Sequence, residues 1–204
     1  TTQGTPGEVI PLLAVGDLHL FSGAIVAALV NAKVQGVDVT IVAGEGALKR
    51  GNVYHAYAVR KELYDQGVRT VADLRGRSLA MPSDAGIDLL ELKLVLESGG
   101  LTLDDIQMQL IRLPDMPAAL QNGAVDAAEL VEPYVTIATK QLNAGVSIVG
   151  GDDLIDIIGD NFPISVIVAG PPMVQDRPLL EAFLVGYLKG ARYYLQALQD
   201  PDIR

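Results

Sequence analysis

The chain has 204 residues, of which 50% are hydrophobic, enough for a substantial core in one domain or in two small ones. Its formal net charge of -10 and its scattered basic residues argue against a nucleic-acid backbone or an anionic lipid surface as a partner. The chain contains no cysteine, which excludes thiol catalysis, disulfides and zinc–thiolate sites within it.

Apolar periodicity and turn residues predict helices that alternate with strands along most of the chain. The predicted helices and helical turns cover residues 6–15, 24–35, 61–66, 71–74, 87–98, 117–122, 133–142 and 178–198. The predicted strands cover residues 18–21, 37–43, 53–59, 78–81, 106–112, 125–130, 146–149 and 164–169. This alternation predicts an α/β fold with mainly parallel sheets flanked by helices.

One short pattern occurs twice. A helix end, a glycine stop, a short buried strand, a turn and a new helix are predicted around Gly16 and again around Gly123. A chain that builds this unit twice is predicted to form two similar lobes with a cleft, and clefts are where small ligands usually bind. The alternative is that any α/β chain repeats such a pattern by chance.

Residues 71–82 (VADLRGRSLAMP) resemble the lobe-crossing segment of the extracytoplasmic solute-binding proteins of ABC transporters. The match is to the nitrate, sulfonate and thiamine-precursor branch of that family. It continues through residues 94–106 (LVLESGGLTLDDI) and 119–128 (ALQNGAVDAA), then through Glu132-Pro133 to the return strand at 163–169. The order and spacing of these segments carry the resemblance, because each motif alone is weak.

The resemblance implies a two-lobed, type II periplasmic-binding-protein-like fold. Lobe I is expected to comprise residues 1–76 and 164–204, and lobe II residues 77–163, with crossovers near 72–78 and 162–165. Members of this family usually begin with a strand–helix–strand unit and end in a further helix. This chain is therefore expected to be truncated at both ends, with the first strand–helix unit of lobe I missing.

Ligands of open α/β sheets bind beyond the carboxyl ends of strands, near helix N-termini. The residues predicted to bind a ligand lie at such strand ends, with Glu129 just inside its strand and Phe162 just before the return strand. They are Ser22, Gly23, Ser83, Asp84, Ala85, Glu129, Glu132, Tyr134 and Phe162. Side-chain hydroxyls, a bare glycine backbone and two aromatic faces suit a small organic molecule.

Three of these residues are acidic, and this favours a ligand with donors or positive charge over nitrate or a sulfonate. They are Asp84, Glu129 and Glu132. Each predicted contact also has a structural alternative. Ser22, Ser83 and Asp84 can cap helices or close turns, Glu132 can stabilise the helix that follows it, and Phe162 can fill a core.

No metal, cofactor or catalytic residue is predicted. Neither His19 nor His55 has metal-ligand spacing with another histidine or a cysteine. The aspartates between Asp152 and Asp160 lack the spacing of a calcium loop, which favours a solvated acidic face. No nucleophile stands beside a base. The sequence therefore predicts a protein that binds a ligand and does not catalyse a reaction.

The resemblance implies the solute-binding component of an ABC importer, which closes on a small molecule by hinge bending. It also implies a membrane permease as partner, no nucleic acid, a monomer, and a periplasmic or extracytoplasmic location with a lipid anchor on a preceding segment. Two alternatives stay open: an enzyme of the same fold in thiamine-pyrimidine or menaquinone-precursor biosynthesis, and the ligand-sensing domain of a regulator.

Overall fold

The computed structural model describes residues 6–200, which form two compact units. Unit 1 joins residues 6–45 to residues 165–200, and unit 2 comprises Gly46–Ile164. The strands are, in chain order, β1 (Leu20–Ala24), β2 (Thr40–Leu48), β3 (His55–Arg60), β4 (Ser78–Met81), β5 (Gln107–Leu110), β6 (Ala127–Val131), β7 (Gly145–Gly150) and β8 (Phe162–Ala169). The α-helices are α1 (Pro6–Val15), α2 (Ala27–Val34), α3 (Lys61–Asp65), α4 (Gly86–Ser98), α5 (Met116–Gln121), α6 (Tyr134–Thr136), α7 (Asp152–Ile158), α8 (Pro171–Gln175) and α9 (Arg177–Gln199).

Unit 1 is built on a three-stranded sheet with the order β1–β8–β2. β1 and β8 are antiparallel and pair from Leu20 opposite Ala169 to Ala24 opposite Ser165. α1 and α2 bury apolar side chains against this sheet. The core residues are Val9, Ile10, Leu13, Leu29, Ala32, Val39, Val166 and Val168.

Unit 2 is built on a five-stranded sheet with the order β5–β4–β6–β3–β7. β4 is parallel to β5 and β6, whereas β3 is antiparallel to both β6 and β7. β3 therefore runs against the other four strands of its sheet. Small side chains on β3, β4 and β6 (Ala58, Ala80 and Ala128) let α5 pack close to the sheet through Met116 and Leu120.

The expected α/β architecture is observed, with mixed sheets: β4 pairs parallel with β5 and β6, whereas every pairing of β3 and the β1–β8 pairing are antiparallel. Local periodicity identifies a strand but does not encode the direction of a partner that lies far along the chain. The predicted boundary at residue 76 also differs from the structure. Residues 46–76 belong to unit 2, since β3 lies inside its sheet, and the chain returns to unit 1 between Ile164 and Ser165.

α4 shows why the sequence forms these elements. Ile87, Leu92, Val95 and Leu96 are buried on one face, and the helix ends at Gly99, after which the Leu101 N–H donates to the Leu96 carbonyl at 2.9 Å. None of the helices formed by residues 6–200 combines the length and the apolar character that a membrane-spanning segment needs.

Asp73 closes the turn at Val71–Leu74 through a capping box. Its carboxylate accepts hydrogen bonds from the Thr70 hydroxyl at 2.7 Å and from the Arg69 and Thr70 amides at 3.0 and 2.9 Å. These hydrogen bonds, the Thr70 hydroxyl first, lower the pKa of Asp73 from its ordinary value.

We expect Asp73→Asn to lower the free energy of unfolding by about 1 kcal/mol at pH 7, as the loss of a helix cap does. A carboxylate with a lowered pKa stabilises the fold above its unfolded pKa of about 3.9, and the effect disappears as pH falls through the lower pKa of the folded state. Urea denaturation between pH 7 and pH 3 measures this. Asp17→Asn is the control, because Asp17 is exposed and forms no hydrogen bond or ion pair within residues 6–200. A difference that stays constant with pH would contradict the assignment.

Candidate functional site

The carboxyl ends of four strands lie at one edge of the five-stranded sheet, which we call the carboxyl edge. β4, β5 and β6 are mutually parallel, and β7 shares their direction because β6 and β7 both pair antiparallel with β3. The start of β3 reaches the same edge, where the Glu132 N–H donates to the Tyr54 carbonyl at 2.8 Å. Ligands of α/β sheets bind at such an edge.

The segment after β4 brings three predicted site residues to the carboxyl edge. The Ser83 hydroxyl oxygen lies 3.2 Å from the Ala85 nitrogen and 3.1 Å from the Ala85 carbonyl oxygen, so Ser83 closes the turn. Asp84 and Ala85 are exposed, directly before α4. Within residues 6–200, the Asp84 carboxylate forms no hydrogen bond or ion pair, and this leaves its oxygens available.

The segment after β6 brings Glu132 and Tyr134 to the same edge. The Glu132 carboxylate accepts hydrogen bonds from the Thr136 amide at 3.1 Å and from the Thr136 hydroxyl at 3.0 Å. Glu132 therefore stabilises the first turn of α6. Tyr134 is half-buried and packs against the core of unit 2.

Ser22 and Gly23 belong to unit 1 and lie within β1, not in a turn after it as predicted. The pairing with β8 extends through both residues and explains the difference, since it keeps the backbone extended as far as Ala24. The exposed Ser22 hydroxyl donates to Glu45 Oε1 at 2.5 Å. A Cβ at Gly23 would lie 2.5 Å from Cζ of Phe21, so that ring covers the glycine.

Two predicted contacts are buried. Phe162 is 9% exposed at the start of β8, which makes it a core residue and not an open stacking surface. Glu129 is 0% exposed in β6, so the carboxylate expected to face a ligand is closed off from solvent. The alternation of β6 explains the position of Glu129, because its side chain points to the face of the sheet that α4 covers.

Glu129 belongs to a cluster that we call the buried triad: His55 at the start of β3, Glu91 on α4 and Glu129 on β6. His55 and Glu91 are 5% and 1% exposed. His55 Nδ1 lies 3.2 Å from Glu91 Oε2 and 3.7 Å from Glu129 Oε1. One ligand atom from each of the three residues falls within 4.8 Å of the others.

The electrostatics of the buried triad are strongly perturbed. Burial, followed by the negative charges of Glu91 and Asp88, raises the pKa of Glu129 well above its ordinary value. Burial and the nearby Glu129 likewise raise the pKa of the Tyr57 hydroxyl. Within the described part of the chain, both Glu129 carboxylate oxygens lack a hydrogen-bond partner.

Sequence reasoning missed His55 and Glu91 because the triad comes from three separate elements, with His55 and Glu91 themselves 36 residues apart. A weaker signal was available. Glu91 follows Ile87 and precedes Val95 by four positions, so it occupies the apolar face of the predicted helix at 87–98. The predicted strand at 125–130 likewise contains two charged residues, Asp126 near its start and Glu129 near its end.

Acidic residues between Asp152 and Asp160 contact the loop at Arg50 and Gly51 of unit 2. Asp156 Oδ1 accepts a hydrogen bond from Arg50 Nη2 at 2.5 Å, and the Arg50 amide donates to Asp160 at 2.9 Å. The Gly51 amide donates to Asp152 at 2.9 Å. Asp152, Asp156 and Asp160 therefore form a network of hydrogen bonds and ion pairs with the loop at Arg50 and Gly51.

Cavities lie away from the carboxyl edge in both units. In unit 1, a cavity of about 490 Å³ is lined by α1 and α2, and one of about 390 Å³ by α2 and β2. In unit 2, a polar cavity of about 510 Å³ lies at the opposite edge of the sheet, lined by residues such as Arg60 and Asn122. None of these three is lined by a predicted site residue.

Comparison with known proteins identifies the family of the chain. The profile of the NMT1-like family matches residues 20–203. A protein of Brucella abortus (strain 2308), described as a binding protein, is 26% identical over 138 residues, which cover 68% of this chain and 42% of that protein.

Two solved structures share the fold. The periplasmic aliphatic sulphonate binding protein of Escherichia coli has a TM-score of 0.68 and 28% identity, over 94% of this chain and 60% of that one. The alkanesulfonate-binding protein of Xanthomonas axonopodis pv. citri, solved with bound MOPS, has a TM-score of 0.66 and 21% identity, over 96% and 61% of the two chains.

The chain thus spans less than two thirds of each of these three proteins. The comparisons confirm the resemblance drawn from the sequence and the expected fold class. The chain belongs to the NMT1-like family and has the α/β fold of the type II periplasmic binding proteins of ABC transporters.

Proposed function

We propose that this chain is part of the solute-binding component of an ABC importer, which captures a small molecule and presents it to a membrane permease. The family match and the sulfonate-binding names of the two structural relatives support this role. A periplasmic or extracytoplasmic location, a monomeric state, a lipid anchor on a preceding segment and the absence of nucleic-acid partners belong to the same proposal.

The carboxyl edge of unit 2 is the observation that carries the proposal. The strand directions bring the segments after β4 and β6 to one edge, with Asp84 and Ala85 exposed before α4 and Tyr134 half-buried at the start of α6. A half-buried aromatic ring, backbone amides before a helix and a free carboxylate suit a small polar molecule. We assign no catalysis to this edge, because the relatives of the chain are named as binding proteins.

The chemistry of the edge favours a ligand with positive charge or several donors. Of the three carboxylates predicted to contact a ligand, Glu129 is buried and Glu132 accepts two hydrogen bonds from Thr136. Asp84 alone among them is exposed without a partner in residues 6–200. A negative charge before α4 opposes a sulfonate or nitrate at that helix terminus and attracts an amine, an amidine or a protonated heterocycle.

We expect this chain to bind a cationic member of a panel of amines, amidines and protonated heterocycles, and to bind it better than alkanesulfonates or nitrate. Asp84→Ser should weaken the binding of that cation by about tenfold to a hundredfold, the usual effect of losing a charge-assisted hydrogen bond. Isothermal titration calorimetry measures both affinities. Asp104→Ser is the matched control, because Asp104 is also exposed and forms no hydrogen bond or ion pair among the described residues. Tight alkanesulfonate binding that Asp84→Ser improves would contradict the ligand class.

A further inference from the structure

We propose that the buried triad of His55, Glu91 and Glu129 is a binding site for a small divalent metal ion, with Zn²⁺ as its best geometric match. The site lies inside unit 2, between β3, β6 and α4, and is separate from the surface segments to which the solute-binding proposal refers. It rests on the donor atoms, their spacing and their burial.

The donor set and its spacing fit zinc. An imidazole nitrogen and two carboxylates are ligands that Zn²⁺ takes at about 2.0–2.2 Å in tetrahedral sites, which places neighbouring ligand atoms about 3.3 Å apart. His55 Nδ1 lies 3.2 Å from Glu91 Oε2 and 3.7 Å from Glu129 Oε1. Three protein ligands with a small molecule in the fourth position form an ordinary zinc site.

Charge balance also favours a cation. Two carboxylates are enclosed here at 1% and 0% exposure, and within residues 6–200 no lysine or arginine forms an ion pair with either of them. Both oxygens of Glu129 lack a hydrogen-bond partner in the described part of the chain. Buried charges in proteins are normally paired or bound to metal, and a divalent ion would satisfy both carboxylates at once.

The surroundings hold the ligands in place. The Tyr54 ring packs edge-on against the His55 ring, with the ring centroids 4.8 Å apart. His55 and Glu129 lie on adjacent paired strands, and Glu91 comes from a helix whose neighbouring residues Ile87 and Leu92 are buried. A metal ion at this position would link α4 to β3 and β6 through its three ligands.

The test is Zn²⁺ binding by the chain after removal of metals with a chelator. Titration calorimetry with ZnCl₂, together with metal analysis after dialysis, should give one zinc ion per chain. Glu129→Gln keeps the side-chain shape but removes the charge, and it should weaken Zn²⁺ binding by at least about a hundredfold. Asp156→Asn, in the exposed Arg50 network, should bind zinc as the unchanged chain does. The proposal fails if no stoichiometric zinc binds, or if Glu129→Gln binds it equally well.

A second measurement needs no variant and keeps the test valid if Glu129→Gln does not fold. Histidine side-chain ¹⁵N NMR of the metal-free chain should show a large shift of the His55 Nδ1 resonance on addition of one equivalent of ZnCl₂. The exposed His19 is the internal control and should not respond. A response of His19 alone, or of neither histidine, would overturn the site.

Discussion

The antiparallel pairing of β3 with both of its neighbours is the constraint on which unit 2 depends. It gives β7 the direction that β6 shares with β4 and β5, so that four strands end at one edge of the sheet. It also places the start of β3 at that edge, where the Tyr54 carbonyl accepts a hydrogen bond from Glu132. The same pairing sets Tyr57 opposite Glu129 and brings His55 into the interior beside Glu91.

α4 connects the surface of this edge to its interior. Its first turn follows the exposed Asp84 and Ala85, while Glu91, one turn further along, reaches the buried triad. The apolar residues on the same face bury enough surface to keep the helix against the sheet, because fully buried leucine and valine side chains each contribute about 1.5–3 kcal/mol. An interaction within the triad would therefore affect the position of the helix terminus at the surface. The geometry gives unit 2 a rigid support behind the segments that we assign to ligand binding.

Much of the fold could be predicted from the sequence, and the errors have physical causes. α4 was predicted within one residue of its observed start because its glycines and apolar periodicity are local signals. The direction of β3 and the burial of Phe162 depend on partners distant in the chain, which periodicity does not encode. Ser22 and Gly23 resembled a turn, yet the β-branched strand β8 pairs with them and extends β1. The sequence predicts that Glu129 faces a ligand, whereas the fold buries it beside His55, a partner 74 positions away in the chain.

The central claim is that the carboxyl edge of unit 2 binds the solute, and backbone amide NMR tests it most directly. Titration of the ¹⁵N-labelled chain with the best-bound cation should shift the amide resonances of Asp84, Ala85 and Tyr134. The amide resonances of residues that line the cavity at the opposite edge, such as Arg60 and Asn122, should not shift. Shifts confined to that opposite cavity, with the resonances after β4 and β6 unmoved, would contradict the account.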